Sequence, residues 1–189
     1  MGRIILARHG EDEDNAAKIL NGRRDKPLTL KGLSQAVGLA RKVQEAGLKI
    51  GYIFSSELVR AQQSAVICAT MLEVPHLALD FLIERSHGIL EGCNYSDIPL
   101  LAKSWREAYG FTYVVEVEGG EGYLELCERA VDVLCKLKAK ILEMQIEGDV
   151  LVISHGAISR AMTVVHQGLT HEDIFNAPSF TNCEFRILE

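Results

Sequence analysis

The 189-residue chain contains no uninterrupted apolar run of about 18 residues, so no membrane-spanning helix is expected from it. Its opening apolar run, RIILARHG, is short and lacks both a basic leader and a small-residue cleavage site. That argues against a signal peptide and for a cytoplasmic protein. The five cysteines (Cys68, Cys93, Cys127, Cys135 and Cys183) include no C-x-x-C spacing, and their odd count points to free thiols rather than a disulfide framework or a zinc clip. Positive charge is scarce. Lys and Arg total 20 against 26 Asp and Glu, a net charge of −6, which makes nucleic acid or an anionic membrane surface unexpected partners. A small anion can still be held in a locally positive cleft, because net charge says nothing about one pocket. Low-complexity stretches, solenoid-length repeats and linkers rich in Pro, Gly or Ser are also missing, so residues 1–189 read as a single domain.

What is present is a globular balance, 48% hydrophobic and 24% charged, with short apolar runs alternating with longer helical patterns. That alternation predicts an α/β domain. Strands are expected at Arg3–Ala7, Tyr52–Ser55, Leu77–Phe81, Val150–Ser154 and Phe185–Leu188. Helices are expected at Leu33–Glu45, Ala61–Leu72, Glu121–Met144 and Ile158–Gln167. The third helix is the clearest: Tyr123, Leu126, Ala130, Val133, Leu137, Ile141 and Met144 recur at steps of three and four, one apolar stripe. Gly148 is expected to end that segment before the next strand. The stretch from Cys93 to Gly119 is the least regular and reads as a small insertion, around 93–119, over one end of the sheet.

Two segments share one form. IILARHG and VLVISHG are each an apolar run too short for a helix, ending in His-Gly. In an open α/β sheet, ligand sites lie beyond the carboxyl ends of the strands, which places His9 and His155 in one neighbourhood. Gly10 and Gly156 would let backbone approach a ligand closely, and a helix starting after Gly156 would aim its free N–H groups at the same space. Paired histidines also suit zinc, but no H-E-x-x-H or H-x-H spacing occurs, and Arg8 before His9 disfavours a cation. Arg8 and Arg60 instead favour an anion, since a guanidinium fork can meet two phosphate oxygens. A neutral imidazole beside cationic groups is a capable nucleophile towards phosphorus. The leaving oxygen then needs a proton donor, for which LIERSHGILEG offers Glu84, Glu91 and His87. The four acids after His9 (Glu11, Asp12, Glu13, Asp14) would repel an anion. Glu11, Glu13 and Asp14 are therefore expected on a solvated face, Asp14 with Lys18 in an i, i+4 pair, and Asp12 at the pocket rim, where it would disfavour substrates with a second anionic group.

These motifs together resemble the histidine phosphatase superfamily, the group that includes cofactor-dependent phosphoglycerate mutases. RHGEDEDN is similar to R-H-G-E-T-x-x-N. NGRRDKPLTLKGLSQA is similar to the G-x-x-D-x-P-L-T-x-x-G-x-x-Q-A stretch, and SSELVRAQQSA to S-x-L-x-R-A-x-Q-T-A. ERSHGILEG, GGEGY, VISHG and Asn182 follow in family order. The resemblance implies a three-layer α/β/α fold with a mostly parallel central sheet. It implies that His9 is transiently phosphorylated within Arg8, Arg60 and His155, and that Glu84, rather than Glu91, is the proton donor. Asn15 and the backbone near Asn21 and Gly22 would hold the substrate, a small phosphorylated molecule, with no metal or organic cofactor. Asp12 departs from the family's Thr or Ser, and Gly122 from the serine of G-E-S. Only about 26 residues separate Glu91-Gly92 from GGEGY, with Lys103 and Arg106 the only bases there, whereas the family's mutases carry a longer, more basic insertion. Hydrolysis is therefore expected over mutase-type transfer, and a catalytically silent phospho-ligand binder is the third alternative. The natural substrate is not coded. The aromatics Tyr95, Trp105, Tyr109 and Phe111 read either as packing residues or as a mouth for an apolar leaving group.

Overall fold

The computed structural model describes residues 2–108 and 111–188. In chain order the elements are β1 (Ile4–Arg8), α1 (Glu13–Ala16), α2 (Leu30–Glu45), β2 (Ile50–Ser56), α3 (Val59–Leu72), β3 (His76–Leu79), α4 (Ile98–Leu101), β4 (Ser104–Ala108), β5 (Phe111–Glu116), α5 (Tyr123–Glu143), β6 (Asp149–Ser154), α6 (Gly156–His166) and β7 (Phe185–Leu188). The main sheet has the order β3-β2-β6-β1-β7. Its first four strands are mutually parallel, and β7 adds antiparallel to β1 at the edge.

Successive side chains of a strand point to opposite faces, and β1 shows the result. Ile4 and Leu6 join Val150 and Val152 in a core against α5 and α6. Ile5 and Ala7 join Leu151 and Ile153 in a second core against α2 and α3. Both faces are covered, which is why β1 from Ile4 to Ala7 and β6 from Val150 to Ile153 are continuously apolar rather than alternating. The α5 stripe is buried from Tyr123 to Ile141. Leu137, fully buried in it, is a position where truncation to Ala would cost about 2–5 kcal/mol.

The starts of α2, α3 and α6 lie two or three residues earlier than expected, and that of α5 two residues later. Thr29 caps α2, its Oγ accepting from the Gly32 N–H at 3.0 Å. The cap of α3 comes from a distant loop: Asp25 Oδ1 accepts from the Val59 N–H at 2.7 Å, a contact invisible in sequence. At the end of α5 the left-handed residue is Gln145 (φ 51°), not Gly148. Gly148 instead turns the chain into β6, where an added Cβ would lie 2.7 Å from the Lys49 carbonyl oxygen.

The 93–119 stretch is more regular than expected. It holds α4 and the antiparallel hairpin β4–β5, a separate two-stranded sheet. Buried Arg85 ties this hairpin to the body, donating to the carbonyls of Glu121, Val114 and Val115 and stacking over the Tyr123 ring. No helix among the described residues is long and apolar enough to cross a membrane.

Candidate active site

The register of the central strands brings the two histidines together. Arg8 of β1 pairs with Ser154 of β6, so the next residues, His9 and His155, emerge side by side beyond the carboxyl ends. Their ring centroids are 5.1 Å apart in an edge-on arrangement, and both residues are buried.

His9 is held in one tautomer. A carbonyl can only accept, so Nδ1–H donates to the Gly10 carbonyl at 2.6 Å. Arg60 can only donate, and its Nε–H points at His9 Nε2 at 3.1 Å. The lone pair therefore sits on Nε2, facing Arg60. Burial, with Arg60 and Arg8 beside it, holds His9 well below the usual histidine range. Burial and Arg60 do the same for His155, neither of whose ring nitrogens has a hydrogen-bond partner. Two neutral imidazoles thus face one another between two guanidinium groups.

The arginines are anchored more completely than an anion-binding fork requires. Arg60 Nη1 and Nη2 donate to the carbonyls of Arg24 and Gly22 at 2.6 and 2.8 Å, leaving Nε beside the lone pair of His9 Nε2. Gly22 fits this role because its φ is +50° and an added Cβ would lie 2.5 Å from Glu91 Oε1. Arg8 donates to the Phe180 carbonyl and to Asn15 Oδ1. Asn182 Nδ2 donates to the same Asn15 oxygen and to the His9 carbonyl. With Oδ1 so engaged, Nδ2 is the atom Asn15 can offer an anion.

Several expectations change here. Asp12 is not at the rim but fully buried. It caps α1 by accepting from the Asn15 N–H, accepts from Asn21 Nδ2 at 2.6 Å, and lies 3.3 Å from Arg60 Nε. Burial holds its carboxyl above the usual range. The acids around it are largely partnered rather than a solvated face. Asp14 is buried against Arg24 at 2.8 Å rather than paired with Lys18, and Glu11 meets Lys31 and Thr29. Only Glu13 is exposed. The short α1 turns these residues back under the loop at 21–28, which no local spacing reveals. Gly10 serves packing instead of ligand approach, since its Cβ would lie 2.4 Å from the Gly32 carbonyl oxygen of α2. At Gly156 an added Cβ would make only ordinary contact with Arg8, so space there does not demand glycine.

Glu84 and Glu91 separate cleanly. Glu91 Oε1 clamps loops, accepting from the Arg23 and His87 N–H groups. Glu84 lines the cavity beside Arg8, Asn21 and Gly156, its carboxylate accepting from the N–H groups of Arg85, Ala157 and Ile158. The N–H groups at the head of α6 thus hold this carboxylate rather than standing open. His87 also lines the cavity, but burial, with Arg85 nearby, pushes it down to about 3. At neutral pH it is the uncharged imidazole, not the imidazolium acid.

The cavity, of about 110 Å³, is closed on its far side by Tyr95, Tyr113, Val114, Tyr123 and Phe180. Of the aromatics singled out in the sequence, Tyr95 lines it and Trp105 does not. Tyr109 lies outside the described residues, as does the side chain of Phe111. Arg160 was not anticipated. It sits five residues after His155, and the only local signal was a basic residue in the largely apolar stretch Ala157–Val165. Among the described residues no group of three or more His, Cys, Asp or Glu is placed to hold a metal ion.

Comparison with known proteins agrees with this geometry. A 2,3-bisphosphoglycerate-dependent phosphoglycerate mutase from Methylobacterium sp. (strain 4-46) is 33% identical over 180 residues, 90% of this chain and 83% of the relative. A mycobacterial glucosyl-3-phosphoglycerate phosphatase, solved with VO3, superposes with a TM-score of 0.83 at 22% identity, covering 99% of this chain and 90% of that one. A phosphoserine phosphatase from Entamoeba histolytica, in complex with 3-phosphoglyceric acid, has a TM-score of 0.77 at 20% identity, covering 99% and 90%. These two likenesses show the three-layer fold. The model of the histidine phosphatase superfamily (branch 1) matches residues 4–189, and with strand-end histidines, flanking arginines and a cavity carboxylate in one place, the chain belongs to that superfamily.

Proposed function

We propose that the protein is a phosphomonoester hydrolase that works through a phosphohistidine on a small phosphorylated metabolite. The observation that carries this reading is the fixed tautomer of His9, which presents an unprotonated Nε2 beside Arg60 and His155. In the first step Nε2 forms a bond to phosphorus as the ester P–O bond breaks, and the Glu84 carboxyl protonates the departing oxygen. In the second step the Glu84 carboxylate takes a proton from water, whose oxygen attacks phosphorus. The P–N bond breaks, returning neutral His9 and inorganic phosphate. Arg8, Arg60, Asn15 and His155 stabilise the equatorial oxygens of the transferring group. Asn21, Gly22 and Gly156 shape the wall around it, Gly22 by fixing the Arg60 guanidinium.

Residues 93–119 act as a small cap, with β5 forming one wall of the cavity. Neither cap base identified in the sequence lines that cavity. Arg106 stacks over Phe175 and Lys103 is exposed. A mutase must retain a doubly phosphorylated intermediate, which calls for cations that this cap does not bring, so hydrolysis is favoured. The kinship with named mutases keeps phosphoryl transfer between hydroxyls as the second reading. The five free thiols support a reducing, cytoplasmic location.

The test is phosphate release from p-nitrophenyl phosphate with chelator present, for the parent and His9→Ala. Chelator-resistant release that disappears in the variant is expected. Interconversion of 3- and 2-phosphoglycerate without phosphate release would establish the mutase reading instead.

A further inference from the structure

The long helix α5 buries one face in the core and leaves a second apolar row in solvent. Leu124, Val131 and Leu142 are 53%, 51% and 66% exposed, and Cys135 is an exposed free thiol. These four recur at steps of seven, four and seven residues. Each step is close to whole turns of about 3.6 residues, so the four side chains stand in line. One exposed apolar side chain is ordinary, but a row of them along a helix is a face that calls for cover.

Two charges complete the row. Glu128 stands between Leu124 and Val131, and Lys138 between Cys135 and Leu142, both exposed. Several other charges on α5 are answered within the chain: Arg129 by Glu121, Asp132 by Lys136 and Lys140 by Glu143. Glu128 has no basic residue three or four positions away along the helix, and Lys138 has no acidic one. Among the described residues neither forms an ion pair.

The row is complementary to itself when reversed. Turned end for end about the level of Val133, it sets Leu124 against Leu142, Glu128 against Lys138 and Val131 against Cys135. We propose that this face docks a second copy of the chain, the two α5 helices packing antiparallel across a two-fold axis at that level. A two-fold interface uses the same patch on both subunits, so the one row gives two Glu128–Lys138 bridges flanking four apolar contacts. A parallel pair would instead oppose Glu128 to Glu128 and Lys138 to Lys138, which like-charge repulsion disfavours. The seam runs about 27 Å from Leu124 to Leu142 at about 1.5 Å per residue. One helix face of that length falls short of the roughly 800 Å² a side of a standard interface, so the dimer is weak and concentration-dependent. Tyr123 at the head of α5 lines the cavity, so the antiparallel arrangement sets the two cavities at opposite ends of the seam. The association therefore does not depend on which phosphoryl reaction the cavity performs.

Sedimentation velocity of the full chain from about 1 to about 500 µM is expected to show monomer giving way to dimer. Glu128→Lys, which opposes two lysines twice over, is expected to raise the dimer Kd by about 10-fold or more. Glu128→Lys combined with Lys138→Glu restores both bridges in reverse and should return Kd to within about 3-fold of the parent. Leu142→Glu should leave only monomer. Val131→Cys places a thiol opposite Cys135 of the other copy, so oxidation with diamide is expected to give a covalent dimer that Cys135→Ser removes. All these positions are exposed, and circular dichroism melts of the variants, which need no enzymatic activity, show that each folds. A parent that stays monomeric over the whole range overturns the proposal. So does a dimer that tolerates both Glu128→Lys and Leu142→Glu, since its interface then lies elsewhere. A double charge reversal that fails to restore association refutes the antiparallel register.

Discussion

The two ends of the cavity are built on opposite principles. Around His9 most polar groups are answered, with Arg8 Nε and both ring nitrogens of His155 left open. Arg60 gives three bonds, Asp12 accepts from two donors with Arg60 alongside, and Asn15 is shared by Arg8 and Asn182. Around Arg160 the walls are aromatic rings, and buried donors stand without partners. The first arrangement fixes positions before substrate arrives, which suits a transferring group whose geometry never varies. The second stacks a buried guanidinium on the Tyr113 ring and leaves its Nε and Nη2 without partners.

The largest expected effect lies at the first end. His9→Ala is expected to lower phosphate release by more than about a thousandfold, and acid-labile phosphoenzyme trapped during turnover should vanish with it. A variant retaining activity would break the comparison at its root. Glu84→Gln tests the junction between the ends. A loss of about 10²- to 10⁴-fold is expected for alkyl phosphates, with a much smaller loss for p-nitrophenyl phosphate, whose leaving group needs no proton. Equal losses for both would remove Glu84 from the role of proton donor.

Stability sharpens the contrast between the arginines. Arg60→Met would leave Asp12 buried without its cation, at a cost of about 3–5 kcal/mol. Arg160→Met removes a buried charge that has no acidic partner, so a change within about 1–2 kcal/mol, the value of its stacking, is expected. Urea melts of the two variants would show it, and similar losses would mean that Arg160 has a structural partner after all.

Stability also depends on pH. His9 and His155 are held well below the ordinary histidine range, mainly by burial, so between about pH 6.5 and their folded values the unfolded chain binds more protons. Their contribution to stability is full above that window and declines as pH falls through it, by up to about 2.7 kcal/mol per pH unit for two groups. Asp12, raised by burial, has the opposite sign, and its contribution grows towards acid. A melting temperature that falls below pH 6.5 in the parent, and falls more steeply in Asp12→Asn, is the expected result.

Much of the scaffold could be read from local pattern. The five main strands and four long helices lie within a few residues of their expected places, because period-2 and period-3.6 burial repeat within each element. The hairpin of 104–116 could not be read, because Trp105, Arg106 and Glu107 are exposed on a small sheet that packs only in part and leaves weak alternation. Among the site residues, His9 and His155 were legible because each follows an apolar strand directly. Glu84 was separable from Glu91 only by family likeness, since the two differ in which loops surround them rather than in spacing. Asp12 was misplaced at the rim because its partners, Asn21 and Arg60, reach it only after the loop at 21–28 folds under α1.

By itself, then, the sequence determined the α/β layering, the two strand-end histidines and the company of Arg8, since each depends on residues adjacent along the chain. Tertiary structure alone decided the rest. It fixed which histidine nitrogen carries the lone pair, buried Asp12 against a distant arginine, set Glu84 on the head of α6, and left one edge of Arg160 without a partner. Those depend on contacts between segments far apart in the chain, 173 residues in the case of His9 and Asn182. Hydrogen-bond direction and desolvation exist only once such segments meet.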